Sequence, residues 1–338
     1  MNLLERAYLL GLSIRQRSAL KHRKKLPCRV ISIGNITTGG TGKTPATIAL
    51  AQEAKRRGMR PVILTRGYRG SAPGPCFVSR GERPLLTHIQ AGDEPVLMAE
   101  KLSGTEIVKG ADRHASGMFA IAELGLACPR KDARPGPLFL LDDGFQHWRL
   151  HRDRDVVLVD ALDPFSGGRL LPLGRLREPL SALGRADVIA VTRCDADGPQ
   201  ESVISTIRRH NRAAPVFRAW HRVAAVRSPD GTRFGPARLA GMKVFGACGL
   251  GNPAGFQETI RTLQAELTGL RTYRDHYPYN QADVAAVTRE AAALGADAVV
   301  TTEKDYVRMA GLDLPENLLI IEIEFAAEDG FFDAVLNP

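Results

Sequence analysis

The stretch GNITTGGTGKTP (residues 34–45) ends in Gly42-Lys43-Thr44, residue types that together hold the phosphates of a nucleotide. In a loop of the form G-x-x-x-x-G-K-[ST], backbone N–H groups cradle the phosphates, the lysine reaches the β- and γ-phosphates, and the hydroxyl ligates Mg²⁺. The candidates for the nucleotide are Thr37, Thr38, Gly39, Gly40, Thr41, Gly42, Lys43 and Thr44, with Thr44 also a candidate for the metal. Thr37 stands where the motif has its first glycine, a departure that leaves open a turn that only joins strand to helix.

Carboxylates recur where such a site needs them. FLLDDGFQH (139–147) places Asp142 and Asp143 at the end of an apolar run, an arrangement that holds Mg²⁺ directly or through water; sequence alone does not rank the two. Gly92-Asp93-Glu94-Pro95 precedes the helical stretch VLMAEKL, where one carboxylate reads equally as a helix N-cap. Arg66-Gly67-Tyr68 reads as a turn or as the lining of an acceptor site, and Asp275-His276-Tyr277 carries a lone histidine that is structural as readily as catalytic. VIAVTRCD (188–195) occupies the place of a guanine-reading Asn-Lys-x-Asp, but Thr192 and Arg193 replace the first two residues, and LLDDG lacks D-x-x-G spacing. These departures favour ATP over GTP.

The elements that must position these residues follow from hydrophobic pattern. Short apolar runs at 29–34, 61–65, 105–109, 138–141, 156–160 and 188–192 read as buried strands alternating with helices. That alternation predicts a P-loop NTPase-like α/β fold, a parallel sheet with helices on both faces, with ligands at the carboxyl ends of the strands. From residue 216 the chain reads as extended, with a turn at Pro229-Asp230-Gly231, and then as a second alternation with strands at 243–247, 298–302 and 318–325. The expectation is a kinase-type domain over 1–215 and, over 216–338, a hairpin-like linker and a smaller α/β domain.

The 338 residues carry 46 Lys and Arg against 37 Asp and Glu, a formal charge of +9 that points to an anionic partner without choosing among nucleotide, nucleic acid and membrane. Five scattered cysteines without C-x-x-C spacing fit a reduced, cytosolic protein, and no apolar run spans a bilayer or resembles an export signal. At the N-terminus, Leu3, Leu4, Ala7, Leu10 and Ile14 recur at helical spacing ahead of Arg15, Arg17, Lys21, His22, Arg23, Lys24 and Lys25. Such a helix lies on an anionic membrane or packs its apolar stripe on the domain.

Taken together, GNITTGGTGKTP, RGY (66–68), GDEP (92–95), LDDGFQH (141–147), GRLLPLGRLREP (168–179), GLGNP (249–253), DHYPY (275–279) and TTEKD (301–305) resemble, in order and over nearly the whole chain, the tetraacyldisaccharide 4'-kinases of lipid A biosynthesis. In that family a phosphate loop that begins with a residue other than glycine is usual. The resemblance implies ATP- and Mg²⁺-dependent transfer of the γ-phosphate to the 4'-hydroxyl of a tetraacyldisaccharide 1-phosphate, giving lipid IVA. It implies a peripheral protein on the cytoplasmic face of the bacterial inner membrane, with that anionic surface and the lipid as partners and no nucleic acid. Asp93 is implied as the catalytic base with His276 as its partner, so that domain closure assembles the site. Glu94, Asp142 and Asp143 belong to the Mg²⁺ environment, and Arg66, Tyr68, Gln146, His147 and Glu178 to the substrate. Where the family often has a second histidine, this chain has Tyr277. A membrane-associated ATPase switch that phosphorylates nothing accounts equally for Lys43, Thr44 and Asp142, but gives no reason for Asp93 or His276.

Overall fold

The structure, a computed structural model, describes residues 2–128, 136–194 and 200–337. The chain divides into two compact units, Met1–His221 with Phe325–Pro338, and Arg222–Glu324.

The first unit runs α1 (Leu3–Lys21), β1 (Arg29–Gly34), α2 (Lys43–Arg56), β2 (Arg60–Thr65), β3 (Cys76–Arg80), α3 (His88–Ala91), α4 (Asp93–Lys101), β4 (Glu106–Lys109), α5 (Arg113–Leu124), β5 (Pro137–Asp142), β6 (Arg154–Asp160), β7 (Val188–Thr192), α6 (Gln200–His210) and the start of β8 (Val216–Arg227). Its strands lie in the order β3-β4-β2-β5-β1-β6-β7-β8, all neighbours parallel except the antiparallel β3–β4 pair at the edge. The inner strands are buried almost throughout, as near-continuous apolar runs in a sheet covered on both faces must be. One core, around Val62, Leu64, Phe139 and Leu141, takes in Ala120 of α5; a second, around Val157, Val159, Ile189 and Val191, takes in Val203 and Ile207 of α6. The chain passes from β1 through α2 to β2 on one side of β1, while β6 and β7 lie on the other. The connection after β1 therefore sits at the topological switch point where such sheets bind ligands.

The second unit continues from β8 through β9 (Arg233–Phe234), β10 (Lys243–Cys248), α7 (Pro253–Thr262), β11 (Glu266–Thr272), α8 (Gln281–Ala293), β12 (Ala298–Thr302), α9 (Glu303–Arg308) and β13 (Leu318–Ala327). β9 pairs antiparallel with β8 as the expected hairpin, and β11-β10-β12-β13 form a parallel sheet around Val244, Val300 and Ile321.

Two expectations need correction. The division falls after His221 rather than after residue 215, and the chain returns to the first unit at Phe325. The reason is α10 (Phe331–Leu336). Phe331 is fully buried against Phe217, Arg29 donates to the carbonyls of Val335, Leu336 and Asn337, and Arg57 pairs with Asp333 at 2.8 Å. The cysteines also differ from the expectation of free thiols. Cys28 and Cys128 are joined by a disulfide with Cα atoms 5.1 Å apart, a pairing across 100 residues that spacing in sequence does not disclose. Among the described residues, no helix is long and apolar enough to cross a membrane.

Candidate nucleotide and acceptor site

The loop from β1 to α2 is shaped by two glycines in conformations that L side chains rarely adopt, Gly39 at φ 111° and Gly42 at φ 84°. A β-carbon at Gly42 would stand 2.5 Å from Nε2 of His221, and one at Gly39 would collide with the Arg175 guanidinium. Side chains bind the loop's carbonyls from outside. Arg175 donates to Thr38 O (2.8 and 3.2 Å), Arg193 to Gly40 O (2.8 Å) and Thr192 Oγ1 to Thr41 O (3.1 Å). With these carbonyls engaged, the Gly39–Lys43 stretch presents its N–H groups and the start of α2 to an anion. Thr37 has a use of its own: its hydroxyl accepts from the buried Asn35 amide (3.4 Å), which also donates to Thr41 Oγ1 (3.0 Å). A glycine at 37 would lack this anchor.

Asp142 ends β5 opposite Ile33 of β1, and the structure separates it from its neighbour. Asp143, at φ 48°, lies 3.7 Å from Lys43 Nζ and accepts from Arg177 Nη1 at 2.9 and 3.0 Å. Burial raises its pKa, but Lys43 and Arg177 outweigh burial and hold it below the usual carboxylate range. Asp142 is buried and accepts from Thr65 Oγ1 at 3.0 Å. Burial, then the negative charge of Glu94 and Asp143, pushes it up to about 7. A carboxyl so placed is short of positive charge. Thr44, Asp142 and Glu94 offer the hard oxygen donors that suit Mg²⁺, which typically takes only one or two carboxylates and fills its shell with phosphate oxygens and water. Among the described residues, no three His, Cys, Asp or Glu side chains form a complete metal cage.

Asp93 is buried at the start of α4 and accepts from Glu94 N at 3.0 Å. Gly92, at φ 94°, packs so closely on the Tyr68 carbonyl that a β-carbon there would stand 2.6 Å from it; Gly67 approaches the Ala91 carbonyl as closely. The RGY and GDEP segments, 26 residues apart, are thus one surface, with Tyr68 exposed and Arg69 against its ring. Lys109 donates to Gln90 O (2.6 Å) beneath it.

Gln146 and Glu178 are committed to each other. Gln146 Nε2 donates to Glu178 Oε1 and to Asn35 O, both at 2.8 Å, and Arg185 pairs with Glu178 at 2.9 Å. Glu178 is almost fully buried, so its carboxylate organises the site's wall. His147 is largely buried; burial and then Arg113 lower its pKa to about 4, so its ring is neutral at pH 7. Arg113 itself, brought down to about 10 by burial, adds positive charge near Asp142 and Asp143. Sequence reasoning assigned no role to Arg113, Asn35, Thr65, Arg175 or Arg177, although Asn35 lies in the phosphate-loop stretch 34–45 and Arg175 and Arg177 lie in 168–179.

In the second unit, Asp305 gathers three of the motifs. It is fully buried and accepts from Gly249 N (2.8 Å), Tyr279 OH (2.7 Å), Thr302 Oγ1 (2.5 Å) and Arg308 Nη2 (2.5 Å), tying GLGNP, DHYPY and TTEKD together. His276 stands at φ 57°, its Nε2 3.7 Å from Asp275, which also pairs with Lys304 at 3.6 Å. Tyr277, in place of a second histidine, stacks on Tyr273 at 4.7 Å and donates to Asp283 at 3.3 Å.

A family profile described as tetraacyldisaccharide-1-P 4'-kinase matches residues 1–337. Relatives named tetraacyldisaccharide 4'-kinase include that of Syntrophus aciditrophicus, 39% identical over 326 residues (93% of this chain, 84% of the relative). That of Geobacter sulfurreducens is 38% identical over 311 residues (90% and 82%). Among solved structures, the LpxK of Aquifex aeolicus in complex with ATP superposes with a TM-score of 0.73 at 27% identity, covering 98% of this chain and 96% of that one. The chain belongs to the tetraacyldisaccharide-1-phosphate 4'-kinase family.

Proposed function

We propose that the residues gathered around the β1–α2 loop carry out the family reaction. The chain is an ATP-dependent kinase that phosphorylates the 4' position of a tetraacyldisaccharide 1-phosphate, yielding lipid IVA in lipid A biosynthesis. The N–H groups of Gly39–Lys43 receive the phosphates, and Lys43 balances charge on the β- and γ-phosphates. Thr44 and Asp142, with Glu94, would hold Mg²⁺, which would supply charge neutralisation for phosphoryl transfer. Asp143, paired with Lys43 and Arg177, keeps both cations in place.

Asp93 orients the 4'-hydroxyl and takes its proton. A carboxylate with an ordinary pKa near about 3.9 is too weak to ionise a sugar hydroxyl in the ground state, so the proton moves late, as the bond to phosphorus forms. His276 is the second proton-handling group. Arg66 and Tyr68, fused to the Asp93 turn by Gly67 and Gly92, face the acceptor, while Gln146, His147 and Glu178 shape the wall beside Asn35.

Membrane association is part of this reading. α1 packs Tyr8, Leu9 and Ala19 on the first unit and leaves Leu3 (78% exposed), Leu4, Leu10 and Ile14 (60% exposed) on the surface. Both uses weighed for this helix are therefore compatible, and the exposed face with its basic end suits the anionic cytoplasmic face of the inner membrane.

The observation that carries the reading is the convergence of Lys43, Asp142 and Asp143 at the carboxyl ends of β1 and β5, in a chain whose family is defined by this acceptor. The deciding experiment incubates purified protein with ATP, Mg²⁺ and the disaccharide 1-phosphate in detergent and determines the mass and phosphate position of the product. A 4'-phosphorylated lipid is expected; ATP hydrolysis indifferent to the acceptor would point instead to an ATPase switch. In the same assay Asp93→Asn should lower kcat by about 10²–10⁴-fold with little change in KM.

A further inference from the structure

α1 is tied to the nucleotide site through the segment 168–178. On one side, this segment is bonded to the phosphate loop. Arg177 N donates to Ile36 O (2.8 Å), Thr38 N donates to Arg175 O (2.7 Å), Leu176 bridges to Thr37, and the Arg175 guanidinium holds Thr38 O. The same segment places the Arg177 guanidinium on both oxygens of Asp143. On its other side it is bonded to α1: the Tyr8 hydroxyl donates to the backbone carbonyl of Arg177 (2.8 Å), and Glu5 Oε1 accepts from Leu170 N (3.1 Å). Glu5 is buried, and its second oxygen closes the capping box of α1 by accepting from Asn2 N (2.8 Å). Leu170 and Leu176 join Ile36 and Phe145 in the core against which Tyr8 and Leu9 pack.

A helix whose sole task was to lie on lipid would have no need for a buried carboxylate and a directed hydroxyl on its inner face. We infer that Tyr8 and Glu5 are positioning residues for phosphoryl transfer: α1 fixes segment 168–178, and that segment fixes the phosphate loop and the Arg177–Asp143 pair. The two faces of α1 then have separable duties, the inner one toward the nucleotide and the outer one toward the surface on which the lipid resides. The inference rests on the kinase reading, but its test reads nucleotide affinity in the absence of acceptor, so the two stand or fall separately.

The test is equilibrium binding of a fluorescent ATP analogue with Mg²⁺, in detergent without lipid acceptor, to the full chain and its variants, alongside co-sedimentation with vesicles containing anionic phospholipid. Tyr8→Phe removes one hydroxyl and Glu5→Gln one charge; the double variant should weaken nucleotide binding three- to tenfold and lower kcat at saturating substrates, with vesicle binding unchanged. Leu4→Ser/Leu10→Ser/Ile14→Ser should do the reverse, losing vesicle binding with nucleotide affinity intact. If Tyr8→Phe and the double variant bind nucleotide as the unaltered protein does, with or without a lowered melting temperature, α1 has no positioning role. Loss of nucleotide affinity in the outer-face variant equal to that in the inner-face variant would overturn the separation of duties.

Discussion

Asp305 in the second unit and Asp142 in the first are both carboxylates buried at the end of a parallel strand or just beyond it, and the protein treats them oppositely. Asp305 is surrounded by four donors, one of them the Arg308 guanidinium, so its charge is compensated in place. Asp142 accepts from one hydroxyl, Thr65; burial and the charges of Glu94 and Asp143 outweigh the nearby Lys43, and its pKa rises to about 7. Burial alone does not distinguish the two acids; the tally of donors does. The saturated site joins segments of chain, whereas the other, in the proposed reading, is the one a bound cation would compensate.

Substitutions should separate the two. Asp305→Asn is expected to cost about 3–5 kcal/mol of stability, because the buried Arg308 loses its carboxylate; urea unfolding would measure it, and a loss under about 1 kcal/mol would deny Asp305 its joining role. Asp142→Asn should leave the melting temperature of the metal-free protein unchanged or raised, since it relieves carboxylate crowding, while kcat falls by about 10²–10³-fold. Unaltered turnover would remove Asp142 from the metal environment. Thr65→Val should act through Asp142, costing about 0.5–1.5 kcal/mol and at most about tenfold in turnover. An effect as large as that of Asp142→Asn itself would mean that Thr65 has a second duty.

The smallest effect concerns pH. His147 is held neutral in the folded chain, with a pKa of about 4 against 6.5 for an unperturbed histidine, so between those values the unfolded chain binds more protons. Its contribution to stability is present above about 6.5 and is lost as pH falls through about 4. His147→Gln should flatten that part of the acid limb in a series of thermal melts. An unchanged slope would mean that the ring gains solvent before the fold opens.

Most of the fold was readable because parallel strands buried on both faces announce themselves as uninterrupted apolar runs; β1, β7 and β12 fall where the pattern puts them. β3 and β11 escaped notice, the first as an antiparallel edge and the second because ELTGLRT is only half-buried and mixes polar with apolar residues. At the site, the phosphate loop and acidic residues were legible as spacing. Their partners were not. Arg177, Thr65 and Asn35 act through contacts 34, 77 and 6 residues distant in sequence, and residue type alone does not disclose those partners, even where Asn35 and Arg177 lie within recognised motifs. The order of Asp142 and Asp143 likewise required knowing where Lys43 and Glu94 come to lie.

The return of the chain to its first unit at Phe325 bears on how the molecule is made. Arg29 stands at the start of β1, yet the carbonyls of Val335, Leu336 and Asn337 that it binds are translated only after the whole of Arg222–Glu324. At roughly 5–20 residues per second, that insertion delays completion of the first unit by on the order of 5–20 s. During synthesis the second unit is thus finished first. The nucleotide-binding unit, begun at the other end of the chain, stays open at one seam until the α10 segment emerges from the ribosome.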